Sequence, residues 1–391
     1  MLDTPFSPWP SFTEDEIRAV SEVLRSNRVN YWTGTQCKAF EREFGEWAGA
    51  PYAIAVANGT VALEMALRAA GIGRGDEVVV TPRTFMASVS AAVNVGAKPV
   101  FADVDRDTQN IEATGIAPVL TPRTRAIVCV HLAGWPCEMD AIGALAAEHG
   151  LCVIEDCAQA HGARYRGRSV GAIGHVGAWS FCQDKIITTG GDGGMITTGD
   201  RALWSRMWSD KEHGKSWEAV HEREHAPGFR WLHESFGSNF RMTEMQAALG
   251  RIQLARMPDW HAARGANAAR ICAAARCAPG LRVPAVPEHV EHAWYKCYVF
   301  VEPGRLKPGW SRDRIIREIV ARDVPCYAGS CSEVYLEKAF DNTGFRPAER
   351  LPVARELGET SLMFLVHPTL TQAEIDRTCA ALGDVMALAA G

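Results

Sequence analysis

The sequence predicts an α/β protein: a large domain built on a mainly parallel sheet with helices on both faces, followed by a smaller α+β domain. Two observations predict this. Short apolar runs at residues 52–57, 77–81, 98–102, 126–130, 151–154 and 176–181 alternate with helical patterns, the signature of a parallel sheet with crossover helices. At 391 residues the chain is also long enough for one large and one small domain. The boundary is expected at 257/258, giving residues 1–257 to the large domain and 258–391 to the small one.

Composition narrows the class. A formal net charge of -5 gives no electrostatic reason to expect nucleic acid or an anionic membrane as partner. The twelve cysteines show no paired C-x-x-C spacing, and several, such as Cys129 and Cys152, lie in apolar runs, as reduced buried thiols do. No apolar run approaches the ~18 residues of a membrane span. The first residues lack the basic start and apolar core of a signal peptide. Together these predict a cytoplasmic protein without a membrane partner.

The elements follow in order. Residues 1–12, rich in proline and aromatics, read as an arm, and Thr13 is an N-cap candidate for a helix running to about Ser26. Asn30–Gly34 is a loop, and Phe40–Ala48 an amphipathic helix. The run Tyr52–Ala57 is a strand, then Asn58-Gly59-Thr60 turns into a helix. Free N–H groups at such a helix start make an anion site. Phe85, just past the next strand, is either a core phenylalanine or a ring that stacks on a ligand. The run Leu151–Ile154 is a buried strand ending in Glu155 and Asp156, where open α/β sheets bind ligands. An acid there either caps the next turn or holds a cationic ligand atom.

Val176–Phe181 is a strand candidate with Lys185 just beyond it and Gly190, Gly191, Gly193 and Gly194 behind it. Glycines allow close backbone approach to a ligand. A lysine that bonds covalently to a carbonyl, and an acid that holds a pyridinium nitrogen, are the two protein groups that pyridoxal phosphate chemistry needs. Lys185 and Asp156 are the candidates for those parts, against the plainer readings of a solvated surface lysine and a turn-capping acid. Residues 201–238 carry Trp204, Trp208, Trp217 and Trp231 with His213, His221, His225 and His233, spaced unlike a compact zinc site. They read as a helix and a long loop, of a length that is commonly functional. Gly237–Met242 opens a long helical pattern, with Asn239 an N-cap candidate. The small domain then brings an Ala-rich helix, a strand over 292–300, a helix over Ser311–Arg322, a loop over Val324–Glu333 and a last helix capped by Thr371.

These residues resemble the DegT/DnrJ/EryC1/StrS family of sugar aminotransferases, of the aspartate-aminotransferase fold (fold type I). The family carries E-D-x-A-Q-A-x-G, S-F-x-x-x-K and G-E-G-G; here they read Glu155–Gly162, Ser180–Lys185 and Gly191–Gly194, with Asp192 where glutamate is commoner. Its N-G-T-x-A-L, V-H-L-x-G, G-x-N-x-R-M and H-P-x-L-T also appear in order, at residues 58, 130, 237 and 367. The loop over Val324–Glu333 departs from the family's His-bearing pattern.

The resemblance implies pyridoxal 5′-phosphate as cofactor. Gly59, Thr60 and Ser180 would bind its phosphate, Phe85 would stack on its ring, and Gln159 would lie by its hydroxyl. Asp156 would hold its ring nitrogen and Lys185 its aldehyde carbon. Asn239 would reach the phosphate in the neighbouring subunit's site, which implies a homodimer with shared active sites. The substrates implied are an amino donor, usually L-glutamate, and a nucleotide-linked keto sugar, a 4-keto-6-deoxyhexose by family frequency. His131 is either a proton carrier or structural, and His161 either lies by the cofactor or bonds a neighbour. Three other readings stay open at this point: a related sugar dehydratase, which would want histidine in place of Lys185; a cofactor-binding regulator, which would want a helix-turn-helix; and a nicotinamide enzyme, which would want G-x-G-x-x-G after the first strand.

Overall fold

The computed structural model describes residues 4–391; of the expected arm, residues 1–3 lie outside the described residues. The architecture is α/β, with a seven-stranded sheet at its centre. Its strands lie in the spatial order Tyr52–Val56, Gly194–Thr198, Val176–Ser180, Cys152–Asp156, Thr124–Val130, Glu77–Val80 and Lys98–Phe101. Only Gly194–Thr198 runs against its neighbours; the pairs from Val176–Ser180 onward are all parallel. The strands are short runs of Val, Ile and Ala buried on both faces, as parallel sheets between helical layers must be. One consequence positions the site. Val56, Val80, Val130, Asp156 and Ser180 end their strands on the same edge of the sheet, and the reversed strand begins there at Gly194.

Helix starts follow local chemistry. Glu14–Arg25 begins after Thr13, whose amide and hydroxyl both donate to the Glu16 carboxylate at 2.7 and 2.9 Å. Gly59–Ala69 begins after Asn58, whose side chain accepts from the Val61 amide at 2.9 Å. Asp200, Ser311 and Thr371 cap Arg201–Lys211, Arg312–Val320 and Gln372–Ala389 in the same way.

Two expectations need correction. The segment Gly237–Met242 does not open a helix. It is extended, with bridges from Asn239 to Glu212 and from Arg241 to Val56. The helix begins at Glu244 after Thr243, whose hydroxyl and amide pair with Gln246. The signal that decided it was the Thr-x-x-Gln capping box, not the asparagine. The strand expected over 292–300 is broken as well. Trp294 takes a positive φ of 50° and its ring stacks on His292 at 3.9 Å, so pairing resumes only at Cys297–Val301.

The strand Cys297–Val301 sits centrally in a three-stranded sheet with Leu281–Arg282 and Ser361–Phe364. The helices Met257–Cys277, Arg312–Val320 and Gln372–Ala389 pack against it over a core that includes Ile271, Val299, Ile315, Leu362 and Val385. Phe6 from the arm is buried in that same core. The Trp/His-rich stretch forms Arg201–Lys211 and a short helix Trp217–His221, with Trp204, Trp208, Trp217 and His221 packed ring against ring. All twelve cysteines are free, with Cys277 and Cys331 exposed. No helix among the described residues is long and apolar enough to cross a membrane.

Candidate active site

A cavity of about 1340 Å³ opens at the strand-end edge of the large sheet. Gly59, Thr60, Phe85, Asp156, Gln159, Ser180 and Lys185 all border it. Its far wall comes from the second sheet and the loop over 329–331, through Tyr295, Lys296 and Tyr298 among others. Segments far apart in the chain thus converge on the place where parallel strands end.

Strand alternation separates the two neighbouring acids. Asp156 faces the cavity, 5 % exposed, and its carboxylate accepts from the Ser88 hydroxyl at 2.7 Å and the Ala158 amide at 3.1 Å. Thr84 Oγ1 lies 2.8 Å from Ser88 Oγ, so the carboxylate is held by a chain of hydroxyls. Burial pushes the Asp156 pKa up, against the pull of Ser88, Ala158 and the Lys185 charge. A desolvated carboxylate of this kind gains most from a cationic partner.

Glu155 points the other way. It accepts from the amides of Gly171, Ile173 and Gly174 at 2.9, 2.9 and 2.6 Å and lies 3.0 Å from His131 Nε2. His131 Nδ1 accepts from the Cys137 amide at 3.0 Å. The proton therefore sits on Nε2 and is donated to Glu155. Burial raises the Glu155 pKa, but His131 and the amides more than offset it and hold it low. Both side chains are spent on structure, so His131 is not a proton carrier. The donor atoms of His131, Glu155 and Cys157 lie within 4.8 Å of one another. This is the nearest approach to a metal cluster among the described residues. The nitrogens of His131 are committed, and burial holds the Cys157 thiol well up, so it offers no ligand set.

Lys185 stands at the end of a tight turn, its amide donating to Cys182 at 3.0 Å. Its side chain is 16 % exposed, with Nζ 4.0 Å from Asp184 and 5.2 Å from the centre of the Tyr295 ring. The Tyr295 hydroxyl donates to Asp184. Burial raises the Asp184 pKa, but Lys185, Tyr295 and Lys296 together hold it below the usual aspartate value. Trp9 donates its indole N–H to the Lys185 carbonyl at 2.8 Å.

Asn58, Gly59, Thr60 and Ser180 also border the cavity. The eleven-residue helix Gly59–Ala69 begins there, beside Ser180. A Cβ on Gly59 would lie 2.7 Å from Ser180 Cβ, and one on Gly194 would lie 2.6 Å from the Asn58 carbonyl carbon. Both glycines are thus required by close approach. The helix N-terminus, Thr60 and Ser180 bring polar groups to the cavity, of the kind that anions favour. Phe85 is 72 % exposed, so it is not a core phenylalanine. It presents an aromatic face to whatever fills the cavity. Gln159 spends its carbonyl oxygen on the Ala133 amide at 2.8 Å, so what it offers a ligand is its NH₂. His161 packs between Trp179 and Phe181, and burial pushes its pKa down to about 3, which keeps it neutral. An aromatic, phosphorylated aldehyde with a basic ring nitrogen fits these groups: cradle, exposed ring, buried acid and lysine all face one space.

Asn239 is not brought to this cavity. It is exposed, and its side-chain oxygen accepts from Arg241 at 3.0 Å. Trp9, Ser88 and the pair Tyr295-Lys296 are site residues that sequence reasoning did not single out. The signal for Trp9 was present in the aromatic-rich arm; nothing local marked the others.

A profile of the DegT/DnrJ/EryC1/StrS aminotransferase family matches residues 10–383. The chain is 35 % identical to the spore coat polysaccharide biosynthesis protein SpsC of Bacillus subtilis over 96 % of both chains. It is 36 % identical to the dTDP-3-amino-3,4,6-trideoxy-alpha-D-glucose transaminase of Streptomyces venezuelae, over 90 % of this chain and 87 % of the relative. Among solved structures, an aminotransferase from Psychrobacter cryohalolentis is 65 % identical with a TM-score of 0.97, covering 98 % of this chain and 99 % of that one. Solved relatives include a form with pyridoxal phosphate bound. The chain therefore belongs to the DegT/DnrJ/EryC1/StrS aminotransferase family and is a fold type I aminotransferase that depends on pyridoxal 5′-phosphate.

Proposed function

We propose that the protein moves an amino group from an amino acid, L-glutamate, to a nucleotide-linked keto sugar, a 4-keto-6-deoxyhexose, for cell-surface polysaccharide or glycosylated metabolite synthesis in the cytoplasm. The observation that carries the reading is the placement of Lys185, Asp156 and the Gly59/Ser180 cradle around one cavity of about 1340 Å³. Relatives named for dTDP-sugar transamination and polysaccharide biosynthesis support the substrate class.

The chain's residues divide the work. Gly59, Thr60 and Ser180 would hold the cofactor phosphate, and Phe85 would lie against its ring. Gln159 would donate to its hydroxyl, and Asp156 would keep a proton on its ring nitrogen. The cofactor supplies an electron sink for the charge left when a C–H bond is broken. Lys185 Nζ takes the proton from the donor's α-carbon, and in the second half gives a proton to the sugar carbon that receives nitrogen. Tyr295 and Tyr298 form part of the wall around that carbon.

A second copy of the chain completes the site. Asn239 lies on an exposed stretch with Phe229, Trp231 and Phe236, which are 78, 79 and 105 % exposed. Phe229 and Trp231 pack edge-on at 5.2 Å, an exposed aromatic pair suited to cover by a partner. Residues 258–391 form the smaller domain.

The test is product analysis. Purified holoenzyme is incubated with L-glutamate and a panel of nucleotide-linked 3-keto and 4-keto sugars, and products are read by mass spectrometry and NMR. An amino sugar from a 4-keto-6-deoxyhexose supports the reading; turnover of 3-keto sugars alone rejects that substrate.

A further inference from the structure

Backbone bonds hold the stretch that carries Asn239. The His213 amide donates to the Ser238 carbonyl at 3.0 Å, the Phe240 amide to the Lys211 carbonyl at 3.3 Å, and the Ala57 amide to the Phe240 carbonyl at 2.8 Å. The stretch is thus clamped between the end of the helix Arg201–Lys211 and the end of the strand Tyr52–Val56. Alternation along an extended segment sets Asn239 and Arg241 on one face. Arg241 Nη1 lies 3.0 Å from the Asn239 side-chain oxygen. A guanidinium can only donate, so the amide atom it meets must be the oxygen. The NH₂ of that amide takes no part in the contact, and it sits on an exposed residue.

Behind Arg241 lies a buried charge network. Its Nε donates to Glu212 Oε2 at 2.7 Å, and the Trp32 indole N–H donates to the same oxygen at 3.0 Å. Glu212 Oε1 lies 3.4 Å from Lys211 Nζ, which is 3.6 Å from Glu41 and 3.5 Å from the centre of the Tyr31 ring. The side chains of Lys211 and Glu212 are fully buried, and that of Arg241 is 12 % exposed. Two cations therefore meet two carboxylates. Such a network adds little net stability, because desolvation offsets much of the attraction. What it does fix is a position. The guanidinium has one nitrogen on Glu212 and another on Asn239, a geometry that its planar fork allows.

Asn239 does not border the chain's own cavity. Its amide is nonetheless set in the same way as that of Gln159, whose oxygen is also spent on a fixed donor. An NH₂ presented on a clamped stretch of backbone is a preorganised donor, and an anion is the partner that gains most from it. We infer that Arg241, anchored by Glu212, is a positioning residue that turns the Asn239 NH₂ toward the cofactor phosphate in the partner subunit's site. This rests on the reading that two copies of the chain share their sites through Asn239. Arg241 acts through the amide and touches neither cofactor nor substrate. Without it the amide can turn its oxygen outward, which repels a phosphate.

The test uses mixed dimers of full-length chains, purified through two different tags, in which one chain carries Lys185→Ala. Only one site per dimer then holds the lysine, and its Asn239 comes from the Lys185→Ala chain. Titration with pyridoxal phosphate, followed by the long-wavelength cofactor band, reads that site alone. Arg241→Met on the Lys185→Ala chain should weaken binding by about tenfold. On the other chain it should leave binding unchanged. Added to Asn239→Ala on the same chain, Arg241→Met should cost nothing further, since it acts through that residue. Pyridoxal, which lacks the phosphate, should bind all these dimers alike. Arg241→Lys keeps a cation for Glu212 but cannot bond both partners at once. It should repeat the loss with native melting, and it carries the test where the Met variant unfolds. Equal weakening in both arms, equal weakening toward pyridoxal, or a loss that adds fully to that of Asn239→Ala makes Arg241 merely structural and overturns the inference. Full binding with Arg241→Met on the Lys185→Ala chain, where Asn239→Ala weakens it, does the same. Asn239→Ala without effect in either arm, or chains that stay monomeric, overturns the shared-site reading beneath it, a result distinct from failure at Arg241 alone.

Discussion

The indole N–H of Trp9 donates to the main-chain carbonyl of Lys185 at 2.8 Å. The Trp9 ring is itself fixed by Trp260 edge-on at 5.0 Å and by His367 stacked at 5.9 Å. The arm therefore fastens the turn that carries the lysine. Trp9→Phe keeps the ring and removes the donor. It should cost about 1–3 kcal/mol, the penalty for a buried acceptor left unpaired. Melting of the cofactor-free protein measures the loss, and the rate of the glutamate half-reaction should fall while cofactor still loads.

The two acids of the strand end should respond oppositely. Glu155→Gln sets an NH₂ group against donors that now meet a carboxylate. It should cost about 3–5 kcal/mol and leave the cofactor spectrum of the folded fraction intact. Asp156→Asn should leave the fold standing and slow the half-reaction by about a hundredfold or more.

Their pH dependence follows the same division. Burial raises the Asp156 pKa in the folded, cofactor-free protein. Its favourable contribution is full below the unfolded pKa and is lost as pH rises through the folded value. Cofactor-free Asp156→Asn should therefore be more stable than wild type at neutral pH, with the gap closing on the acid side. Glu155, held low, stabilises above the unfolded pKa, and that contribution fades as pH falls through its lowered value. Urea unfolding at several pH values separates the two.

Gly59→Ala places a methyl group 2.7 Å from Ser180 Cβ. Overpacking of this kind costs about 1–3 kcal/mol, and here it also closes the cradle. Affinity for pyridoxal phosphate, measured by fluorescence titration, should drop by about tenfold or more. Adding Ser180→Gly should relieve the clash without restoring full affinity, since the serine hydroxyl is gone.

Shared sites predict complementation. Lys185→Ala and Asn239→Ala, each impaired alone, should regain activity when mixed and allowed to exchange subunits. Activity in the mixture no greater than the sum of the parts, or a monomer by sedimentation, contradicts the shared site.

Contiguity governed what could be read from the chain. The cradle at Asn58-Gly59-Thr60, the acid at Asp156 and the lysine after Ser180 sit in short stretches at strand ends, where apolar runs and glycines mark the turns. Ser88, Trp9 and Lys296 enter the site only through tertiary packing, from a helix, the arm and the second sheet. The helix expected from Gly237 failed because the capping box lies later, at Thr243 and Gln246. The strand expected from His292 failed because ring stacking of Trp294 on His292 accompanies a backbone that an extended strand cannot follow. Phe85 could be read either way from the sequence, and only its exposure decided between core and cavity.

The most direct measurement is an absorbance spectrum of the purified protein with pyridoxal phosphate, before and after L-glutamate, beside Lys185→Ala. Wild type should show a long-wavelength band that glutamate converts to a shorter-wavelength one and that a keto sugar restores, and Lys185→Ala should not form that band before glutamate is added. Wild-type protein that forms no such band with added cofactor, or Lys185→Ala that cycles like wild type, contradicts it.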